Sequence, residues 1–243
     1  MGHGILLSAT SDIDVMVHGV WKYSFFGHEV WITTTHVCLL IIILILIAFS
    51  VLAGCVMRRA TQVPSGFQNV IELIVEKLDG MVNITMGKNS TKYYNYIGTV
   101  FIFILFSNIS GILGLRPPTA DYGVTLPLGV LTFIMIHYNQ FKYQKPKDIW
   151  KDMCSPLPPW LPVWLPINVI SEIAVPISLS LRLFANILSG TIMMTLVYGL
   201  LGWIATIWPA ALHVYFDLFS GAIQTYVFCM LTMTYVNNAI GDT

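Results

Sequence analysis

One unbroken apolar run, VCLLIIILILIAFSVLAGCVM from Val37 to Met57, does most to limit what this chain can become. About 20 apolar residues in a helix cross the hydrocarbon core of a bilayer. In lipid only helices and closed barrels satisfy their own backbone groups. Further apolar stretches follow almost to the C-terminus, so the bilayer is the solvent of the whole chain. Of the 243 residues, 56% are hydrophobic and 10% charged, against about a quarter charged in a soluble domain. The formal net charge of zero gives no sign of a nucleic-acid or polyanionic partner. The expectation is an all-α polytopic membrane protein. It is one integral membrane domain over 1–243, with five transmembrane helices and one interfacial amphipathic helix.

Cys38, Cys55, Cys154 and Cys229 are scattered without a C-x-x-C pair. They imply neither a disulfide framework nor a metal site, and no cofactor is expected. The N-terminus has no basic region followed by a short apolar core, so no cleavable signal peptide is expected.

Residues 1–36 are mixed and polar and form an N-terminal segment; span one covers 37–57. Arg58 and Arg59 come immediately after it. Basic residues at a span's end favour the cytoplasm, which puts residues 1–36 outside. The segment 64–88 differs. Phe67, Val70, Ile71, Ile74, Val75, Leu78 and Val82 recur at helical spacing, with Glu72, Glu76, Lys77 and Asp79 on the other face. Such a helix lies along the interface with membrane lipid, and Ser65 with Gln68 fits a capping box at its start.

Spans two and three are predicted over 96–115 and 121–141. A cytoplasmic loop, 142–162, carries Lys142, Lys145, Lys147 and Lys151. Both Arg59 and Lys142 are then inside, so an even number of crossings separates them, and the amphipathic helix must be non-crossing. Pro156, Pro158, Pro159, Pro162 and Pro166 punctuate the approach to two long helices, 166–198 and 210–238, joined by a turn near 199–209. Both exceed the usual span, which predicts tilt. Five crossings leave the C-terminus cytoplasmic.

From Met153 to Gly241 the formally charged side chains are Glu172, Arg182 and Asp217 alone. A lone charge at the bilayer centre costs at least about 2.5–3.5 kcal/mol, and such residues mark ion or substrate pathways. Asn168, Ser171, Ser178, Asn186 and Ser189 project onto the face of Arg182 at helical spacing. Glu172 sits beside this polar stripe. On the last helix Asp217, Ser220 and Gln224 share a face at i, i+3 and i+7. Serines alone are explained as glue between helices. A fixed guanidinium is not, because arginine cannot release its proton. It can hold a positive field for a carboxylate. No carboxylate of this chain stands at its depth, so the partner is expected from another protein.

PISLSLRLFAN at 176–186, PPTADYGVTL at 117–126 and SGAIQTYVF at 220–228 resemble subunit a of F-type ATP synthases, in its bacterial and chloroplast forms. The resemblance covers nearly the whole chain, and the motif around Arg182 is its most specific part. It implies a non-catalytic stator beside a rotating c-subunit ring, each c subunit carrying a membrane-buried carboxylate. It also implies the b-subunit peripheral stalk and the remaining ATP synthase subunits as partners, in a bacterial plasma membrane. Two offset half-channels would connect the c-ring carboxylates to opposite sides. Arg182 matches the essential arginine, which favours the deprotonated carboxylate and blocks leakage. Gln224 matches the glutamine of the last helix, and Asn186, Ser178, Asn108 and Asp121 match polar pathway positions.

The departures carry information. A glutamate common in the family nine residues after the arginine is Thr191 here, and Asp217 stands seven before Gln224. The outer acid is thus expected on the last helix. Asn168 replaces a frequent glutamate, and Glu172, one turn on, is the candidate for the inner half-channel.

The main alternative is a secondary transporter using Arg182 to bind an anionic substrate. It is disfavoured because no internal repeat or broken helix is evident. A voltage sensor needs several arginines at three-residue spacing. An intramembrane hydrolase needs a nucleophile–base set or a metal motif, whereas His137 and His213 are isolated in the sequence.

Overall fold

The computed structural model describes residues 19–25, 28–58, 60, 66–113, 115–146, 149, 165–201, 212 and 214–241. Cys154, His213, Lys147, Lys151, Ser65, Arg59 and the turn expected at 199–209 beyond residue 201 lie outside the described residues.

Two strands precede the first span. β1 (Gly19–Phe25) and β2 (His28–Thr33) pair antiparallel, Gly19 opposite Thr33 and Phe25 opposite His28. The segment was expected only to be mixed and polar. Its aromatic and β-branched residues, among them Trp21, Tyr23, Val30 and Ile32, are those that favour strands. The rest of the described body is helical.

α1 (Thr34–Met57) buries only Thr35, Cys38 and Ile42, and exposes Leu40, Leu44, Ile47, Val51 and Leu52. A helix apolar all round, yet exposed, has lipid as its partner. α2 (Phe67–Met86) starts differently from expectation. Its N-cap is Gly66 at φ 59 with no side-chain cap, where Ser65 was expected to cap, and Gln68 donates to Glu72 Oε1 at 2.7 Å. The helix turns Ile71, Leu78, Val82 and Met86 inward and leaves Glu76, Lys77 and Asp79 exposed. Phe67, Val70, Ile74 and Val75, all on the expected apolar face, remain exposed flanks.

Gly87, at φ 51, ends α2, a conformation that glycine adopts without steric cost. A short 3-10 turn, Gly87–Asn89, leads into α3 (Ser90–Ile109), which packs back onto α2. α4 (Tyr122–Tyr143) comes after two more 3-10 turns, Ser110–Leu113 and Pro118–Ala120. The C-terminal end of α4 is tied to α3: Tyr93 donates to Asn139 Oδ1, and Lys92 Nζ donates to Tyr143 OH at 3.2 Å. The Lys92 hydrogen bond holds the Tyr143 phenol below its ordinary range.

α5 (Leu165–Leu201) has 37 residues, about 55 Å at 1.5 Å per residue, well beyond a hydrocarbon core of about 30 Å. The last helix opens with a π-helical turn, Val214–Ser220, and continues as α6 (Gly221–Ile240). The core lies where α3, α5 and α6 meet the end of α2: Val82, Met86, Ile97, Ile104, Leu179, Leu183, Phe228, Met233 and Val236. α4 and α5 approach closely at Gly129, where a Cβ would stand 2.5 Å from the Pro176 carbonyl oxygen. Small residues permit such contact between membrane helices, and this one fixes α5 six residues before Arg182. Cys38 and Cys229 are buried and Cys55 is exposed, all as free thiols.

Among the described residues four stretches are long and apolar enough to cross a bilayer: Thr34–Met57, Phe67–Ile112, Pro166–Val197 and Val214–Ile240. The chain is therefore a multi-pass membrane protein. The second stretch takes in both α2 and α3. α4 is 22 residues long, about 33 Å, but His137, Asn139, Gln140 and Lys142 dilute its hydropathy.

Candidate functional site

α5 has two unlike faces. Leu179, Ser180, Leu183, Ile187, Gly190 and Met194 are buried against the bundle. Ser171, Ser178, Arg182 and Ser189 are exposed on the opposite side, with Asn168 and Asn186 half-buried at its edge. The polar stripe expected from spacing thus exists, and it points out of the chain. Two serines satisfy themselves locally: Ser171 donates to Ile167 O at 2.9 Å and Ser189 to Asn186 O at 3.0 Å. Arg182 makes no hydrogen bond or ion pair among the described residues. Its guanidinium is a charge displayed outward on an apolar helix.

The last helix departs from the expected shared face of Asp217, Ser220 and Gln224. The expectation used 3.6 residues per turn throughout. The i→i+5 winding of the π turn over Val214–Ser220 rotates Asp217 relative to the regular turns of α6. Asp217 lies against Gly111, where a Cβ would stand 3.0 Å from its Cγ. Ser220 turns to α5 and donates to Asn186 Oδ1 at 3.2 Å. Gln224 is 8% exposed, and its Nε2 is buried without a hydrogen-bond partner among the described residues. An orphaned buried donor of this kind asks for a water or a partner group. Thr191 closes on its own helix, donating to Ile187 O at 3.0 Å.

Asn108 is a knot between three elements. Its Nδ2 donates to Gly221 O at 3.0 Å and to Thr225 Oγ1 at 3.2 Å, and its Oδ1 accepts from Thr119 at 2.8 Å. It is 1% exposed, and a Cβ on Gly221 would stand 2.9 Å from Asn108 Cβ. Asp121 caps α4, its Oδ1 accepting from Gly123 N at 2.9 Å. Both residues hold structure in this chain. The family resemblance suggested Asn108, but nothing in the sequence marked Thr119 and Thr225 as its partners.

Glu172 brings in a residue that the sequence left isolated. His137 Nε2 lies 3.6 Å from Glu172 Oε2, across the contact of α4 and α5. A histidine and a glutamate in two apolar segments were the available signal; which helices pack together was not. Among the described residues no group of three or more His, Cys, Asp or Glu could hold a metal ion.

The family model described as ATP synthase A chain matches residues 36–237, a range that includes every site residue above. The chain belongs to this ATP synthase family. It is 34% identical to "ATP synthase subunit a, sodium ion specific" of Propionigenium modestum, over 74% of this chain and 65% of that relative. It is 32% identical to the ATP synthase subunit a of Priestia megaterium, over 84% of this chain and 91% of that protein. Identity to the Sulfurihydrogenibium sp. protein is 29%, over 83% and 94%. Membership in the subunit a family accounts for the apolar helices and places the chain in ATP synthesis and ion transport at a membrane.

Proposed function

We propose that this chain is the stator of the ion path in a rotary ATP synthase, and that Arg182 faces the carboxylates of a ring of c subunits. One observation carries the reading. Arg182 is exposed on the outward face of an apolar helix, with Leu179, Ser180 and Leu183 buried behind it, and has no partner among the described residues. In lipid such a charge is costly unless another molecule supplies an opposite charge or water. A passing carboxylate would be held ionised beside it, and its ion released toward a half-channel. The fixed guanidinium then stands between the two paths and carries no proton across.

The outer path would run by Asp217, Asn186 and Gln224, the inner one by Glu172, Asn168 and Ser171 along α5, with Ser178 beside Arg182. Asn108 and Asp121 would border the outer path while holding α3 and α4 in place. Five crossings, with α2 along the interface, put the N-terminus outside and the C-terminus in the cytoplasm of a bacterial cell. The b-subunit peripheral stalk would hold the chain against rotation. Whether the ion is H⁺ or Na⁺ would be decided largely by the ligands on the c subunit.

Cross-linking tests the reading. In a chain freed of its own cysteines, Ser178→Cys should form a disulfide with a cysteine placed beside the carboxylate of a small two-helix protein that co-purifies. Leu183→Cys, on the buried face, should not. No cross-link from Ser178→Cys, or no such companion protein, would defeat the proposal.

A further inference from the structure

A cavity of about 260 Å³ opens between α4, α5 and α6, ten residues before Arg182 on α5, about 15 Å along the axis. His137 and Glu172 meet on its wall, and Gln140, Gln144, Tyr235 and Asn238 add polar groups around them. Its volume suffices for several waters, at about 30 Å³ each. The wall also has an unmet need for them. Gln144 donates to Ala239 O at 3.2 Å, while its Oε1 is buried without a hydrogen-bond partner among the described residues.

The geometry is that of an exchanging pair. His137 Nδ1 lies 3.1 Å from the Phe133 carbonyl, which can only accept, so Nδ1 keeps its proton and Nε2 is the atom that exchanges. Nε2 faces Glu172 Oε2 at 3.6 Å, beyond a direct hydrogen bond and within reach of one through a small approach or a water. Both side chains are partly exposed, 26% and 36%. Among the described residues the titratable groups on the cavity wall are His137 from α4, Glu172 from α5 and Tyr235 from α6.

We propose that His137 and Glu172 are a proton-exchange pair at the mouth of the inner path, with His137 as the member that trades protons with cytoplasmic water. This rests on the stator reading above and adds a residue and a chemistry to it. In the pumping direction, a hydronium ion of the cavity water gives a proton to Nε2, leaving water and an imidazolium. The imidazolium passes that proton to Oε2, leaving neutral imidazole and a carboxylic acid. The acid releases it along the polar face of α5 toward Arg182 and becomes a carboxylate again. One proton goes in and one comes out, and synthesis runs the same steps backwards.

The test uses the whole ATP synthase in inverted membrane vesicles, where the medium sets the pH on the cytoplasmic side. ATP-driven pumping is normalised to hydrolysis by the same preparation in detergent. His137→Gln should lower pumping about tenfold at alkaline medium pH and little at acid pH, where water protonates Glu172 directly. Glu172→Gln should lower it about tenfold throughout. The exchanged pair, His137→Glu with Glu172→His, should recover at least half the parental rate and its pH dependence. Parental pH profiles in both single variants would overturn the pair. So would equal losses at every pH that the exchanged pair fails to repair, or sodium pumping indifferent to both substitutions. Arg182→Ala in the same vesicles separates the two claims: normal pumping by it defeats the stator reading, whereas its failure beside unchanged His137→Gln and Glu172→Gln profiles defeats only the pair.

Discussion

The carboxylate of Asp217 rests on Gly111: a methyl at that glycine would stand 3.0 Å from Cγ and 3.0 Å from Oδ2. The acid of the π turn thus looks to the end of α3, and its position depends on a residue with no side chain. Asp217→Asn is expected to slow ion access from the outer side about fivefold to tenfold while the protein still assembles, because an amide cannot ionise. Gly111→Ala should act in the same direction without removing the charge, by pushing the carboxylate away. Adding Thr191→Glu to Asp217→Asn should restore part of the activity by returning an acid to the outer path. Proton-driven ATP synthesis in vesicles measures all three. Parental rates for Asp217→Asn across about pH 6 to 9 would make Asp217 structural and move the outer path toward Asp121 and Asn108.

Asn108 binds α3, the 118–120 turn and α6 through three hydrogen bonds. Asn108→Ala leaves the buried Thr119 hydroxyl without its acceptor and removes the bonds to Gly221 and Thr225, although the Gly221 carbonyl keeps the Thr225 hydroxyl as a donor; the cost is about 1–3 kcal/mol. The expected outcome is a lower thermal midpoint of the assembled complex, with coupling kept at low temperature. A fully assembled, thermally unchanged variant that cannot transport would place Asn108 in the ion path itself.

α2 is expected to lie on the cytoplasmic surface. Its exposed Glu76 and half-buried Glu72 would then face water or headgroups. In a cysteine-free chain, Glu72→Cys and Glu76→Cys should react with an impermeant maleimide only from the inside. Reaction from outside would mean that α2 crosses, and each later segment would reverse.

The long apolar runs were legible because lipid demands them: Val37–Met57 lies within the 24-residue α1, and the expected 166–198 within Leu165–Leu201. The outward stripe of Arg182 was legible because α5 keeps regular winding through it. The face of Asp217 was not, since one π turn changes the period on which projection depends. The start of α2 was misread because Gly66 takes the cap position in a positive-φ conformation that no side-chain pattern announces. The His137–Glu172 contact and the ties of Asn108 are relations between helices. A single sequence says that such groups need partners, and only packing says which they are.

The central claim is that Arg182 serves ion movement by being a permanent, outward-facing charge. Pumping and hydrolysis of ATP, measured together in membrane vesicles holding the assembled enzyme, test it most directly. Arg182→Ala should abolish pumping even where hydrolysis continues uncoupled, and Arg182→Lys should fail nearly as badly, because a desolvated lysine can give up its proton. Pumping at the parental rate by assembled Arg182→Ala enzyme would contradict the account.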